Sequence, residues 1–215
     1  MALLKKKLTE VPDDAVVLSE SEALEYEWKL IRGWKNPSDV WALNFAPGIL
    51  GGLSAATGVF INHYYRKKLK LGRYGHFSTY LPIVVLPALS TVIFHRSFVQ
   101  HAIILNPNIC PVCIETRSCA IQGVLGIGYP TVIAPLAAFM FATRHYTYRL
   151  PSITEEPIAV LKLWKKLTMP ISGRLALAFG VHMIAAIILT YKEMENLYTV
   201  QNKLIELEER LENSA

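Results

Sequence analysis

Four apolar stretches, separated by polar and basic segments, dominate the pattern of the chain. They cover about residues 45–62, 77–94, 120–142 and 171–191. A helix needs about 20 predominantly apolar residues to cross the hydrocarbon core of a membrane, and the third stretch carries no charged side chain at all. The pattern therefore predicts an all-α membrane protein with four transmembrane helices.

An amphipathic segment precedes the first apolar stretch. Ser19 and Glu22 have the spacing of a capping box, in which each side chain accepts a hydrogen bond from the other residue's backbone N–H, and Gly33 marks a helix end. Apolar residues between them recur at intervals of three and four. We expect a helix that lies on a membrane surface or a partner, or that packs on its own chain.

Two further segments have the pattern of docking helices. Before the fourth stretch, Trp164 and its apolar neighbours oppose three lysines, which is typical of an interfacial helix. After that stretch, leucine and valine alternate at intervals of three and four, as in a short coiled-coil seam. We expect both to contact partners, although the tail could also be a frayed helix in solvent. The residues are Lys162, Trp164, Lys165 and Lys166, and Leu197, Val200, Leu204, Leu207 and Leu211.

The chain accordingly divides into three predicted regions. Residues 1–43 form a tether and an amphipathic helix, residues 44–191 form a four-span membrane domain, and residues 192–215 form a heptad-bearing helix.

Small residues recur along the first apolar stretch. Gly48, Gly52 and Ala56 are four apart, and Gly51 and Ala55 repeat the spacing. Small side chains let neighbouring membrane helices approach closely, so we expect a helix-packing face here. The alternative is that glycine is merely frequent in membrane helices.

Two histidines lie in or beside the apolar stretches. His182 is in the middle of the fourth stretch, and an intramembrane histidine usually faces the helix bundle, so we expect it to form a buried hydrogen bond. His95 ends the second stretch, and we expect it to contact lipid headgroups.

Composition supports membrane insertion. The chain of 215 residues is 52% hydrophobic and only 18% charged, whereas soluble domains carry about 25% charged residues. The net charge of +5 is concentrated at the ends of apolar stretches, where basic side chains anchor helices at a lipid interface. We therefore expect contact with a lipid bilayer and no binding of nucleic acid.

The charges also predict an orientation. The first and third loops carry ten basic residues between Arg66 and Lys166, whereas the middle loop carries Arg96 and Arg117. By the positive-inside rule, the two basic loops face the cytoplasm-equivalent compartment, and the middle loop lies with both termini on the other side.

Three cysteines, Cys110, Cys113 and Cys119, lie in a predicted short polar turn before the third stretch. A zinc site would need further ligands, since the usual second Cys or His pair is missing. A structural disulfide or free thiols are possible states, and Cys110-Pro-Val-Cys113 also resembles a thioredoxin-like redox pair. Quinone-linked thiol oxidoreductases need a second cysteine pair, which this chain lacks. Since the sequence shows no phosphate-binding glycine loop, carboxylate pair or nucleophile elbow, we expect no enzymatic activity, no cofactor, no bound metal and no small-molecule substrate.

The same central region combines a cysteine pair, a Thr-Arg-Ser triplet, spaced glycines before Tyr-Pro, and an arginine with an aromatic residue. In this sequence these are Cys110, Cys113, Thr116, Arg117, Ser118, Gly123, Gly128, Tyr129, Pro130, Arg144 and Tyr146. With this combination the chain resembles a known family, the transmembrane protein 126 family, over about residues 97–146.

The resemblance implies a multi-pass protein of the mitochondrial inner membrane without enzymatic activity. It implies an assembly factor for respiratory complex I, with membrane-arm subunits and other assembly factors as partners, within the mitochondrial complex I intermediate assembly complex. The basic loops would then face the matrix, and the cysteine turn and both termini would face the intermembrane space. The first forty residues and the tail depart from the family pattern.

Overall fold

The computed structural model describes residues 18–106, 108–151 and 156–213. Over these residues the protein is helical and contains no strand. Four helical segments are long and apolar enough to cross a membrane, which confirms the predicted fold class. Most of the predicted N-terminal tether lies outside the described residues.

Helix α1 spans Glu20–Arg32 and confirms the predicted capping box. The backbone N–H of Ser19 donates to Glu22 Oε2 at 2.9 Å, and the Ser19 hydroxyl oxygen accepts from the Glu22 N–H at 3.4 Å. At the other end, the N–H of Gly33 donates to the carbonyl of Lys29. Both caps satisfy backbone groups that a helix end leaves unpaired.

The spanning helices extend beyond the predicted apolar stretches. Helix α2 covers Trp41–Lys68, α3 covers His76–Leu105 and α4 covers Pro111–Arg144. Polar and basic residues continue helical hydrogen bonding past the last apolar residue, and cations in a last turn interact favourably with the helix dipole. Hydropathy therefore marked the apolar centre of each helix and not its ends.

Helices α3 and α4 each contain π-helical turns, in which a backbone N–H bonds the carbonyl five residues earlier instead of four. In α3 the Leu86 N–H reaches the Leu81 carbonyl, five residues back, next to Pro82. In α4 the Tyr129 N–H reaches the Val124 carbonyl just before Pro130. Proline removes one backbone donor, and a widened turn is one way in which a helix accommodates it.

The predicted polar turn at the cysteines is wrong, because α4 already begins at Pro111. A proline at the first helical position is pre-organised for a helix start. The Cys110 carbonyl accepts from the Ile114 N–H, and the Thr116 hydroxyl donates to the Val112 carbonyl at 2.7 Å. Polar side chains are thus accommodated within the helix and do not interrupt it.

The fourth span continues into the predicted tail without a break in the helix. A short helix, α5 (Pro157–Thr168), leads through the 3₁₀ turn Met169–Ile171 into α6, a single helix of 41 residues, Ser172–Glu212. Lys192 and Glu195 form an ion pair three residues apart at the end of the apolar part. The helix continues because its polar residues favour helix as much as its apolar residues do.

Contacts divide the chain into two compact units that do not follow the predicted regions. Met1–Pro47, His95–Ser118 and Ile187–Ala215 form one unit, and Gly48–Phe94 and Cys119–Ala186 form the other. The first contains 11 Lys and Arg and 15 Asp and Glu, and the second contains 11 and 2. We call them the acidic unit (net −4) and the basic unit (net +9).

The core of the basic unit joins the two basic loops. The Tyr64 hydroxyl donates to the Leu167 carbonyl at 2.8 Å, and the Tyr65 hydroxyl bonds the Thr168 hydroxyl at 2.7 Å. The Thr147 hydroxyl donates to the Leu69 carbonyl, just after the end of α2, at 3.0 Å. The apolar residues of this core are Ile61, Tyr65, Leu69, Leu71, Ile83, Ala134, Ala138, Phe139 and Ala142.

The acidic unit contains α1 and one end of each of the four spanning helices, α2, α3, α4 and α6. The Ala42 N–H donates to Asn196 Oδ1 at 2.9 Å, which ties the start of α2 to α6. Lys203 forms an ion pair with Asp39 at 2.5 Å. The buried apolar residues of the acidic unit include Ile31, Leu43, Val99, Ile103, Ile114, Leu197 and Val200.

Candidate functional site

The most polar part of the acidic unit's core is a cluster around Glu193. His95 Nε2 lies 2.9 Å from Glu193 Oε2, and the two side chains are 1% and 0% exposed. The prediction that His95 contacts lipid headgroups is therefore wrong. Because a carboxylate can only accept, Nε2 carries the hydrogen of this bond.

Gln100 and Ser118 complete the cluster. The Gln100 amide donates to Glu193 Oε1 and to the Leu43 carbonyl, both at 2.7 Å. The Ser118 hydroxyl lies 3.4 Å from His95 Nδ1, at the long end of a hydrogen bond. Glu193 of α6 thus bonds two side chains of α3. Ser118 of α4 and the Leu43 carbonyl of α2 contact those two side chains in turn.

The order serine, histidine, carboxylate resembles a nucleophile, a general base and its orienting acid. Here, however, the three side chains are each 1% exposed or less. A groove of about 340 Å³ in the same unit is lined by other residues, among them Ile103 and Tyr191. The arrangement supports a structural role, since breaking a buried ion pair costs about 3–5 kcal/mol.

The basic unit has a second, uncharged polar cluster. His182 Nε2 lies 2.8 Å from the Thr57 hydroxyl, and the Ser54 hydroxyl lies 3.2 Å from that of Thr91. This confirms the expected buried hydrogen bond of His182. Gly126 lies against this cluster, since a Cβ there would lie 2.6 Å from His182 Nδ1. The close approach of α4 therefore requires a residue without a side chain.

Of the small residues predicted to form the packing face of α2, Gly51 lies against another helix, whereas Gly48 and Gly52 do not. A Cβ at Gly51 would lie 2.6 Å from Val92 Cγ2 and 3.0 Å from the Ala88 carbonyl oxygen. A Cβ at Gly48 or Gly52 would meet nothing within 4 Å. Gly48, Gly52 and Ala56 are exposed, so among the described residues they do not form the expected intrachain face, whereas Ala55 is half-buried.

The three cysteines are free thiols in the structure. Cys110 and Cys113 are exposed, and Cys119 is half-buried with its thiol 3.8 Å from the Met183 carbonyl. The Cys113 backbone N–H lowers the pKa of the Cys110 thiol, because it stabilises the thiolate. The described ranges contain no group of three or more His, Cys, Asp or Glu residues that could hold a metal ion.

The residues of the family resemblance do not form one site. Ser118 reaches His95, and the Arg117 guanidinium donates to the Phe98 carbonyl at 2.9 Å, so both attach α4 to α3. Pro130 is buried in α4. Thr116, Gly128, Arg144 and Tyr146 are exposed, whereas Gly123 and Tyr129 are half-buried.

The predicted docking residues divide into buried and exposed groups. Lys162, Lys165 and Lys166 of α5 are exposed, whereas Trp164 is half-buried against the core of the basic unit. In the tail, Leu197 and Val200 are 3% and 0% exposed, so the first part of the seam packs on its own chain. Leu204 is half-buried, and Leu207 and Leu211 are exposed.

Comparison with known proteins identifies the family. The family model described as Transmembrane protein 126 matches residues 36–209. The chain belongs to this family. The resemblance read from the central region of the sequence is thereby confirmed, and the match extends over all four spanning helices.

Relatives in the family differ in their sequence identity to this chain and in how much of it they match. The chain is 49% identical over 213 residues to Transmembrane protein 126 of Drosophila melanogaster, covering 99% of this chain and 96% of the relative. It is 32% identical over 101 residues to a human protein named Complex I assembly factor TMEM126B, mitochondrial, covering 47% and 43%. The mouse protein of that name is 27% identical over 103 residues, covering 48% and 44%. No solved structure matches the chain.

Sequence reasoning missed Glu193 and Gln100. A signal for Glu193 existed: with Leu189, Leu197 and Val200 it follows the three- and four-residue spacing of one helix face. A carboxylate on an otherwise apolar face needs a partner, because a buried unpaired charge is costly. The identity of that partner depends on which helix packs there.

Proposed function

We propose that this protein is a non-enzymatic assembly factor for mitochondrial respiratory complex I, inserted in the inner membrane by four helices. Its partners are membrane-arm subunits and other assembly factors, within the mitochondrial complex I intermediate assembly complex. The observation that carries this proposal is membership of a family with relatives in human and mouse named as complex I assembly factors.

The surface of the protein is consistent with a scaffold. Large apolar side chains are exposed on all four spanning helices, for example Phe45, Leu89, Met140 and Leu177. Some of this surface is suited to lipid and some to the apolar faces of membrane-arm subunits. The exposed lysines of α5 and the exposed end of α6 offer polar contacts outside the hydrocarbon core.

Purification under mild detergent tests the proposal. The full-length protein, tagged at its C-terminus and expressed at its natural level, is isolated from mitochondria, and co-purifying proteins are identified by mass spectrometry. We expect complex I membrane-arm subunits and assembly factors, and loss of assembled complex I when the gene is deleted. An unrelated four-span inner-membrane protein with the same tag serves as the control. Recovery of no complex I component would overturn the proposal.

We further propose that the basic loops face the matrix and that α1, Cys110 and the tail face the intermembrane space. Moving a charge across a membrane against 100 mV costs about 2.3 kcal/mol, which favours keeping the cations on the matrix side. The grouping of both basic loops in one unit supports a common side. A C-terminal tag should be cut by protease in mitoplasts. A tag that is cut only after detergent would reverse the orientation.

A thiol oxidoreductase using Cys110 and Cys113 is a second candidate, because both thiols are exposed and the pKa of Cys110 is lowered. Changing both cysteines to serine would then abolish complex I assembly at normal protein abundance. Under the scaffold proposal, the double variant supports assembly. Cys119→Ser is the matched control, since this thiol lies outside the pair.

A further inference from the structure

A groove of about 510 Å³ lies in the basic unit, between the end of α2 and the start of α6. Its walls combine aromatic and cationic side chains: Phe60, His63, Tyr64, Lys67, Lys68 and Arg174. Two of these side chains are the aromatic rings of Phe60 and Tyr64, and three are basic, those of Lys67, Lys68 and Arg174.

Within the described ranges, no carboxylate pairs with the three cations of the groove. Residues 48–94 contain no Asp or Glu, and residues 119–186 contain only Glu155 and Glu156. None of the ion pairs among the described residues involves Lys67, Lys68 or Arg174. Lys68 Nζ lies 5.7 Å from the centre of the Tyr64 ring, a contact that orients the ammonium group without neutralising it.

Hydrogen bonds within the basic unit fix one wall of the groove and keep the neighbouring Arg66 occupied. The Tyr64 hydroxyl donates to the Leu167 carbonyl, which fixes one wall. Arg66 points elsewhere, because its guanidinium donates to the carbonyls of Gly72 and Tyr74 at 2.7 and 3.0 Å. The neighbouring arginine is therefore used within the protein, and the groove's three cations are left for a ligand.

An apolar surface continues from the groove along both helices. Phe60 lies two turns before Lys67 and Lys68 on α2, and Leu177, 71% exposed, lies one turn after Arg174 on α6. A ligand that satisfies both features has an anionic head and an apolar body. A free anion would use only the cations, and a neutral lipid would use only the apolar walls.

We propose that this groove binds the headgroup phosphate of an anionic phospholipid, with its acyl chains on the exposed apolar faces of α2 and α6. Basic pockets between membrane helices are known to take such headgroups. The inference goes beyond the proposed function, since lipid binding here requires no complex I component.

The test measures lipid binding by the full-length protein in neutral detergent micelles. Cardiolipin and phosphatidylglycerol are titrated, with binding followed by native mass spectrometry and by the midpoint of thermal unfolding. Phosphatidylcholine and inorganic phosphate are the comparison ligands. We expect both anionic lipids to bind and to raise the midpoint, and the two comparison ligands to have little effect.

Charge-matched variants locate the site. The variant Lys67→Gln/Lys68→Gln/Arg174→Gln should bind anionic lipid more weakly, by about fivefold for each cation removed. The variant Lys70→Gln/Arg73→Gln/Arg149→Gln removes the same charge from the same unit outside the groove and should bind as the unchanged protein does. If the triple groove variant does not fold, Arg174→Gln alone should show about a fivefold loss.

Three results would overturn the proposal. Equal loss of binding in the two triple variants would mean that net surface charge alone attracts the lipid. Equal stabilisation by inorganic phosphate would mean that the groove takes a free anion. Equal binding of phosphatidylcholine would mean that the cations do not recognise the headgroup.

Discussion

The acidic and basic units of this protein differ in whether their charged side chains form ion pairs within the chain. In the acidic unit, three basic side chains pair with carboxylates of the same chain: His95 with Glu193, Lys192 with Glu195 and Lys203 with Asp39. These are the ion pairs that join two described residues, and the basic unit contributes none of them. Its buried polar contacts are uncharged, as between His182 and Thr57, or join Arg66 to carbonyls.

The two units therefore differ in which charged side chains are available to bind a ligand. Charges that are paired internally stabilise a fold but are not available to a ligand. The basic unit carries a net charge of +9 with almost no acid, so solvent, lipid or a partner must compensate its cations. We therefore expect the acidic unit to be more sensitive to loss of a charge, and the basic unit to respond to anionic ligands.

The largest effect is expected at Glu193. Glu193→Ala leaves His95 and Gln100 without their shared partner, and breaking a buried pair costs about 3–5 kcal/mol. The free energy of unfolding in detergent, from denaturant titration followed by circular dichroism, measures the loss. Glu195→Ala is the control, because it removes an exposed ion pair, which solvent and salt screen and which therefore contributes little to stability. Equal loss in the two variants would contradict the central place of the buried carboxylate.

Helix packing in the basic unit should come next. Gly51→Leu places a side chain against Val92 and the Ala88 backbone, and overpacking costs about 1–3 kcal/mol or more. Gly52→Leu, on the adjacent exposed face, should leave the unfolding free energy nearly unchanged. If Gly52→Leu were the more destabilising of the two in the isolated protein, the described orientation of α2 would be wrong.

The uncharged pair of the basic unit should contribute less than the charged pair of the acidic unit. Removing one partner of a buried hydrogen bond costs about 1–3 kcal/mol, so Thr57→Val should destabilise by less than Glu193→Ala does. A double-mutant cycle of Thr57→Val with His182→Phe isolates their coupling. Unfolding free energies that add without coupling would show that the two side chains do not interact.

The smallest effect is expected at Asp39, near the surface of the acidic unit. The Lys203 ammonium, together with the Trp34 indole N–H, holds the pKa of this carboxyl below its usual range. A carboxyl with a lowered folded pKa contributes stability above its unfolded pKa of about 4, and this is lost as pH falls through the folded value. Asp39→Asn should flatten the decline of the unfolding midpoint below about pH 4. An unchanged decline would mean that other carboxyls cause it.

Much of the architecture was accessible from local sequence. Backbone groups in hydrocarbon must bond within their own segment, so an apolar stretch of sufficient length has to be a helix. That rule predicted the four spanning helices. The capping box at Ser19 was predictable because its two partners lie three residues apart. The family was readable because its motif is contiguous between Cys110 and Tyr146.

The errors share a different origin. Gly51 and Gly52 are identical neighbouring residues, so the sequence does not distinguish them. Only the position of α3 buries Gly51 and leaves Gly52 exposed. His95 became a core residue because α6 brings Glu193 to it from 98 positions away. Leu197 and Val200 are buried within the chain, and the neighbouring Asn196 accepts a hydrogen bond from the Ala42 N–H at the start of α2.

Local pattern decided that these segments are helices, whereas tertiary structure decided which face of each helix meets protein. In water an apolar face must find a protein partner, so its position in the sequence predicts the core. In a membrane, lipid satisfies an apolar face as well as another helix does, and hydropathy does not distinguish the two. Polar residues such as Glu193 and His182 are the exception, because hydrocarbon cannot satisfy them and they must turn toward the protein.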